Sequence, residues 1–315
     1  MNYIKSPIFY MGNKYDLLEQ LIPLFPKNIN TFYDLFGGSG VMTLNVFAYI
    51  YIYNELNDNI YNLFKMFKEH SSQEIIDRIK YNIKKYNLNE EGTDVRQNEP
   101  DILEIREYYN KKYLNFRREY NKQKERNILD LFTLTFYSFS NLIRFNSKNQ
   151  FNMPYGNRCF CKFHADMIKV WCDYVHKRNI KICNENAFDI LKETNFNEND
   201  FIYLDPPYSN TLAIYNEKRA FGGWTIKNDL ELFQILEELD KKNIKWGLSN
   251  VFENKETKNQ HLIDWCNKNN WYVFHLDKNY ASLGKGNANS DEVYITNYSS
   301  GNNKIQTTIF DFIDK

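Results

Sequence analysis

The 315-residue chain has no surplus of charge of either sign, since 40 Lys and Arg stand against 40 Asp and Glu. A strongly basic composition, the cheapest sign of a nucleic-acid partner, is therefore missing. Long apolar runs are missing too. Val41–Ile52 is interrupted by Asn45 and closed by Asn54 and Glu55, well short of the ~18 apolar residues of a membrane span. The first residues, Met1 to Pro7, lack the apolar core of a secretory signal. On these grounds no membrane partner is expected, and the expected location is the cytoplasm. Cysteine is scarce and badly spaced for a metal: the five stand at 159, 161, 172, 183 and 266, and Cys159-Phe160-Cys161 is not a zinc spacing. Reduced thiols and no metal site are the expectation. No internal repeat is evident.

What is present is the balance of a folded protein, 43% hydrophobic and 25% charged. Thr31–Phe36, Tyr49–Tyr53 and Phe201–Leu204 are short apolar runs closed by turn or polar residues, which reads as buried parallel strands. Ile180–Cys183, Ile244–Leu248, Trp271–Leu276 and Val293–Tyr298 are further candidates. Helical patterns lie between them, including Asp229–Asp240, with Leu230, Phe233, Leu236 and Leu239 expected on one face, and Lys258–Asn269. Alternation of this kind predicts an α/β sheet layered with helices. From about residue 58 to 178 the alternation gives way to charged helical text, read as an insertion into the α/β domain.

Two turns carry the chemistry. Asp34-Leu35-Phe36-Gly37-Gly38-Ser39-Gly40 lies where the first strand meets a helix starting near Val41. Glycines allow a sharp turn and close approach of backbone to a ligand, and a helix N-terminus adds exposed N–H groups. Glu55 ends the next strand, where a carboxylate can accept hydrogen bonds from both hydroxyls of a ribose. Gly38-x-Gly40-x-x-Thr43 lacks the third glycine of the dinucleotide fingerprint, and no Gly-Lys-Ser/Thr of a P-loop follows. A nucleoside cofactor without a pyrophosphate fits better, with S-adenosylmethionine the leading candidate; a tight turn with no ligand is the alternative.

The second turn is Asp205-Pro206-Pro207-Tyr208, at the end of a predicted strand. Its prolines fix φ and remove two donors, leaving stiff backbone with free carbonyls. The Asp205 carboxylate and the Pro206 carbonyl can each accept one N–H of an exocyclic amine. This localises the nitrogen lone pair and aims it at an electrophilic methyl. Tyr208 can stack on the base.

Together these motifs resemble those of the Dam-type (D12 class, alpha group) DNA adenine-N6 methyltransferases, from the N-terminus to about Tyr298. The resemblance implies a Rossmann-like S-adenosylmethionine-dependent methyltransferase sheet formed by residues 1–57 and 160–315. A helical target-recognition domain, 58–159, would be inserted into it. Tyr10-Met11-Gly12-Asn13-Lys14 is similar to the family's N-terminal segment, which implies Tyr10 and Lys14 near the methionine end of the cofactor. Asp34, Phe36, Gly37, Gly38 and Gly40 would line the cofactor, Glu55 would hold the ribose, and Phe188 would pack on the adenine. Asp205, Pro206, Pro207 and Tyr208 would form the catalytic turn, with Asp205 also touching the cofactor. The family usually has Trp where Tyr10 stands, Gly where Asn13 stands and Asp where Glu55 stands.

Residues 137–158 read as a β-hairpin, with Ser147-Lys148-Asn149-Gln150 as its turn. No acid occurs from Leu131 to Ala165, whereas Arg144, Lys148, Arg158 and Lys162 are positive. Such a hairpin suits phosphate contact and base-edge readout; a basic surface hairpin without DNA is the bland alternative. It resembles the DNA-reading hairpin of Dam-type enzymes, which implies DNA contacts by Arg144, Asn146, Lys148, Asn152, Pro154, Tyr155 and Arg158, and GATC as the first site to consider. The partner implied is double-stranded DNA, placing the protein at a bacterial or phage-infected nucleoid, with a cognate restriction endonuclease if the role is protective. Tyr137 and Asn141 are candidate helpers in base flipping. Lys and Arg outnumber acids across Arg106–Arg126, which suits a phosphate-contacting face. Tyr280–Glu292 reads as a loop near the DNA, and Gln306–Phe310, in a tail from residue 301, as a sliding-clamp peptide. Rival functions are methylation of RNA adenine, methylation of a protein glutamine amide, or DNA binding without catalysis. A cytosine-C5 enzyme would need Pro-Cys, which is absent. The amide enzymes place their two motifs much closer than the 165 residues between Gly40 and Asp205.

Overall fold

The computed structural model describes residues 3–93, 100–209, 223–254, 257–277 and 290–300. Its strands are β1 (Thr31–Asp34), β2 (Ile50–Asn54), β3 (Ile180–Cys183), β4 (Phe201–Leu204), β5 (Lys245–Asn254), β6 (Thr257–Lys258), β7 (Tyr272–Leu276) and β8 (Ser290–Thr296). They form one sheet in the order β3-β2-β1-β4-β5-β8-β7, with β6 paired to β5. The five strands from β3 to β5 run parallel, and β8 is antiparallel to both of its neighbours. The chain moves outward from β1 to β2 and β3, then returns to lay β4 against the other side of β1, with Asp34 beside Tyr203. That reversal opens a crevice at the carboxyl ends of β1 and β4, the place where open α/β sheets bind ligands.

Alternation along the strands separates two cores. Phe32, Tyr51, Tyr53, Phe201, Tyr203 and Tyr294 face one side of the sheet. Leu35, Ile202, Leu204, Trp246, Leu248 and Val293 face the other. The second face is covered by α8 (Ala187–Glu193), α9 (Ile226–Lys241) and α10 (Gln260–Asn269). On α9 the buried stripe is Leu232, Phe233, Leu236 and Leu239, whereas Leu230, expected on it, is exposed. Asp229 replaces Leu230 at the start of that stripe, for a reason given below.

The first face packs on α1 (Leu18–Leu21), α2 (Val41–Asn45), α3 (Asp58–Glu69), α4 (Ser72–Tyr86), α6 (Ile128–Tyr137) and α7 (Lys162–Lys177). Tyr113, Phe116 and Tyr120 of α5 (Pro100–Lys122) join the same cluster, so the helical insertion shares one continuous core with the sheet. Its internal polar knot is Asp130, which accepts from Arg78 at 2.8 and 3.0 Å and from Asn82 at 2.8 Å. The arm at 137–158 is a hairpin in path but not a ladder. Only the isolated antiparallel bridges Ser138–Tyr155 and Phe145–Phe151 form. Pro154, Gly156 and the positive-φ residues Ser140, Asn141, Asn149 and Asn157 interrupt continuous pairing. The sequence-predicted loop at 280–292 lies outside the described residues up to 289, while Ser290–Glu292 open β8. The tail from 301, with Gln306–Phe310, lies wholly outside them.

One glycine ties the layers together. Gly40 sits at φ 73°, and a Cβ there would run into the ring of Phe64 on α3 and crowd Trp171 on α7. Phe64 in turn stacks on Tyr53 of β2, with ring centroids 3.8 Å apart. We predict that Gly40→Ala destabilises the fold by roughly 2 kcal/mol or more, by overpacking added to the left-handed backbone penalty. Gly92→Ala, at φ 93° with nothing near its Cβ position, should cost only ~1 kcal/mol. Equal urea midpoints for the two variants would refute the clash.

Candidate active site

The glycine turn is built by its neighbours. Gly37 N–H donates to the Asn54 carbonyl at 2.8 Å and Gly40 N–H to the Gly37 carbonyl at 2.8 Å. The Tyr53 hydroxyl donates to the Gly38 carbonyl at 2.8 Å. Asn54 bridges the carboxyl ends of the sheet. Its amide donates to the Leu35 and Glu185 carbonyls, and its side-chain oxygen accepts from Glu185 N–H. Nothing in the sequence reading singled out Asn54, whose role rests on burial and on partners that only the fold brings to it.

The acids have distinct roles. Glu55 accepts from Gly38 N–H at 2.9 Å through one oxygen and from Asn57 N–H at 2.7 Å through the other. It stands at the cleft wall with a fixed orientation. Asp34, 1% exposed, accepts from Thr43 N–H at 3.1 Å and from its hydroxyl at 2.7 Å. It therefore braces α2 against β1 as well as lining the cleft. Burial raises its pKa to about 7, against the opposing Thr43 hydrogen bonds and with a smaller push from Asp205.

The Asp205 turn follows β4. Lys14 Nζ lies 2.6 Å from Asp205 Oδ2 and donates to the Gly12 carbonyl at 3.2 Å. The Tyr208 hydroxyl donates to Asp205 Oδ1 at 3.0 Å, and Lys14 Nζ sits 5.5 Å from the Tyr208 ring centroid. Burial lowers the Lys14 pKa, but Asp205, Tyr203 and Glu292 overcome it and hold the ammonium above its ordinary value. Burial raises the Asp205 carboxyl, with Lys14 and Tyr208 opposing. Lys14, expected beside the cofactor, is thus ion-paired to the Asp205 turn itself. Tyr10 packs over the glycine turn, 3.3 Å from where a Gly38 Cβ would stand.

Tyr10, Lys14, Asp34, Phe36, Gly37, Gly38, Glu55, Phe188, Asp205, Pro206, Pro207 and Tyr208 line one cleft. Gly40 lies beneath it, against Phe64. A third aromatic joins Phe36 and Phe188: Trp224 stacks on Phe188 at 5.7 Å and 12° and meets Phe36 edge-on at 5.6 Å. The sequence reading missed Trp224, which lies far from both motifs. Among the described lining residues, three carboxylates face one lysine. That balance suits a cationic nucleoside and disfavours a phosphate-bearing one.

The residues expected to meet DNA lie on the arm. Arg144 Nε donates to Asn152 Oδ1 at 2.9 Å, and its Nη2 to the Asn152 carbonyl at 3.3 Å, so the guanidinium is held in place. Asn146 serves the turn, accepting from the N–H groups of Lys148 and Gln150. Lys148 and Pro154 are exposed, and Arg158 donates to Asn141 at 3.1 Å. Tyr155 faces inward, donating to Asn89 Oδ1 at 2.8 Å, with burial raising its pKa. Tyr137 and Asn141 are buried, with Tyr137 donating to the Asn89 carbonyl and Asn141 to the Thr135 carbonyl. The polar groups of both, named as candidate helpers in base flipping, are thus engaged within the insertion. From α5, Asn121 grips both the N–H and the carbonyl of Phe151, and Arg117 and Tyr113 hold the Met153 carbonyl.

A mostly parallel sheet with a glycine turn after β1, an acid after β2 and Asp-Pro-Pro-Tyr after β4 is the arrangement of a Rossmann-like methyltransferase fold. The model for the D12 class of N6 adenine-specific DNA methyltransferases matches residues 10–280, and the chain belongs to that family. It is 36% identical over 303 residues to the modification methylase StsI of Streptococcus sanguinis, covering 95% of this chain and 43% of that protein. It is 33% identical over 305 residues to the type II methyltransferase M.FokI of Planomicrobium okeanokoites, covering 95% and 44%. The DNA adenine methylase of Haemophilus influenzae is 29% identical over 204 residues, 64% of this chain and 62% of that protein. The chain thus spans less than half the length of StsI and M.FokI. No described helix is long and apolar enough to cross a membrane.

An acid whose folded pKa exceeds its unfolded one stabilises the fold at low pH and loses that contribution as pH rises through the folded value. For Asp34 the window runs from about 4 to about 7. Relative to wild type, Asp34→Asn should therefore gain thermal stability at pH 8 compared with pH 5. Parallel melting profiles across that range would show that Asp34 does not titrate there.

Proposed function

We propose that the chain transfers a methyl group from S-adenosylmethionine to adenine N6 in double-stranded DNA, after the base has been flipped from the duplex. When bound, the cofactor supplies an electrophilic methyl on a cationic sulfur. Glu55 would take its ribose hydroxyls, and Phe36, Phe188 and Trp224 its adenine. Asp205 would accept one N–H of the target amine, and the Pro206 carbonyl the other. A carboxyl whose proton affinity is raised by burial is a strong acceptor for that amine, and it can take the proton once the nitrogen has become cationic. Lys14 and Tyr208 hold the carboxylate in one orientation before the amine arrives, which removes reorganisation from the reacting step. Tyr208 also offers a ring face to the base.

The observation that carries this reading is the shared cleft: the ribose-accepting acid and the amine-accepting turn line one wall-to-wall site, fixed by backbone hydrogen bonds. The same geometry opposes a binding-only protein. The matched family of DNA methyltransferases supports DNA over RNA as the substrate, and the acid-free arm, fastened to α5 with Arg144 preset, suits the reading of a duplex. Relatives named as modification methylases support a protective role beside a restriction endonuclease. GATC is the site to test first, on the likeness of the arm to that of Dam-type enzymes.

Asp205→Ala should lower tritiated-methyl transfer to adenine by at least ~100-fold while leaving duplex binding within a fewfold of wild type. Full activity in that variant would overturn the mechanism. Mapping N6-methyladenine in DNA from cells expressing the chain decides the site, and modification absent from GATC would overturn that finer reading alone.

A further inference from the structure

The aromatic corner of the cleft has an anchor outside it. Trp224 lies just before α9, whose first turn is closed by a capping box: Thr225 N–H donates to Asn228 Oδ1 at 3.0 Å, and the Thr225 hydroxyl to the same oxygen at 2.7 Å. The indole ring faces Phe188 and Phe36, but its Nε1–H points the other way and donates to Asp229 Oδ1 at 2.6 Å. Asp229 is 1% exposed, and its second oxygen accepts from His261 Nε2 of α10 at 2.7 Å. His261 is 23% exposed, with its ring beside Phe233. This explains why an acid begins the buried stripe of α9. A carboxylate in that position is tolerable only with donors on both oxygens, and the indole and the imidazole are those donors.

The inference rests on the proposed use of the Phe188 corner for the cofactor's adenine. We infer that Asp229, held by His261, is a positioning residue for cofactor binding: it sets the indole of Trp224, and the indole sets the purine-binding corner. Trp224 touches the cofactor; Asp229 and His261 act only through it. Three features favour a positioning role over simple core packing. The ring edge is pinned by a charge-assisted hydrogen bond to a carboxylate that is itself fixed from the opposite side. The ring face lines the cleft. The anchor reaches across two helices of the layer that covers this side of the sheet, so it orients the wall without occupying the site. The substrate property it controls is affinity for a planar purine nucleoside, not the chemistry at Asp205.

The test is a double-mutant cycle read by calorimetric titration of the full chain with S-adenosylmethionine. Asp229→Asn should weaken binding about tenfold, the equivalent of one hydrogen bond to a charged group. Trp224→Phe, which keeps an aromatic face but has no N–H, should weaken it similarly. Added to Trp224→Phe, Asp229→Asn should then weaken binding by less than about twofold, because the coupling it breaks is already absent. His261→Gln, at a partly exposed side chain, should raise the cofactor KM while leaving kcat at saturating cofactor unchanged. It also carries the cycle if Asp229→Asn does not fold, as judged by circular dichroism. Independent, multiplicative effects in the two backgrounds would overturn the inference, as would unchanged affinity in both Asp229→Asn and His261→Gln. A wild-type chain that binds no S-adenosylmethionine would instead overturn the cofactor reading beneath it. A wild type that binds while the variants match it would overturn the anchor alone.

Discussion

The pairing of β1 with β4 is the constraint on which the site depends. Gly40 and Asp205 are 165 residues apart, yet the register that sets Asp34 beside Tyr203 brings the two turns to the same edge of the sheet. Parallel neighbours deliver both turns to one side, and the change in direction of chain progression leaves a gap between the helices that follow them. Everything the cleft contains is hung on that gap. Lys14 enters from the N-terminal segment, Glu55 from β2, Phe188 from α8 and Trp224 from the approach to α9.

Electrostatics within the cleft divide the work between residues of one type. Three carboxylates stand in it under different control. Glu55 is held by two backbone N–H groups, Asp34 by one threonine, and Asp205 by a buried ammonium and a phenol. The first has its orientation fixed by backbone, the second is a brace pushed toward neutrality, and the third is locked from both oxygens. The zero net charge of the chain conceals this division, just as it conceals the absence of acids from Leu131 to Ala165.

Much of this was legible in the sequence. Most strand positions came out within a few residues because buried parallel strands are short apolar runs, although β5 runs on to Asn254, six residues past its expected end; the two turns announced themselves by Gly and Pro in places where only those residues serve. The rest was hidden for physical reasons. Trp224 and Asn54 act through contacts made only when distant strands and helices meet, so local pattern says nothing of them. Leu230 was assigned to the buried stripe by helical spacing, but the stripe takes a charged residue there because two donors await it. Tyr137 and Asn141 looked available beside the arm; the fold instead consumes their polar groups within the insertion. The arm itself was expected as a ladder, and its pairing is broken by the same Pro, Gly and Asn residues that shape its path.

Gly40 has a meaning beyond the turn it permits. Its missing side chain makes room for Phe64, a residue of the insertion's first helix, whose ring stacks on Tyr53, and Tyr53 holds the Gly38 carbonyl. The helical insertion and the glycine turn of the sheet therefore meet through shared aromatic surfaces rather than across a linker. Replacement of the insertion is constrained accordingly: a cut at residue 58 removes the ring that packs against Gly40. A working chimaera must either keep Phe64 and Trp171 with the sheet or bring replacements of the same shape.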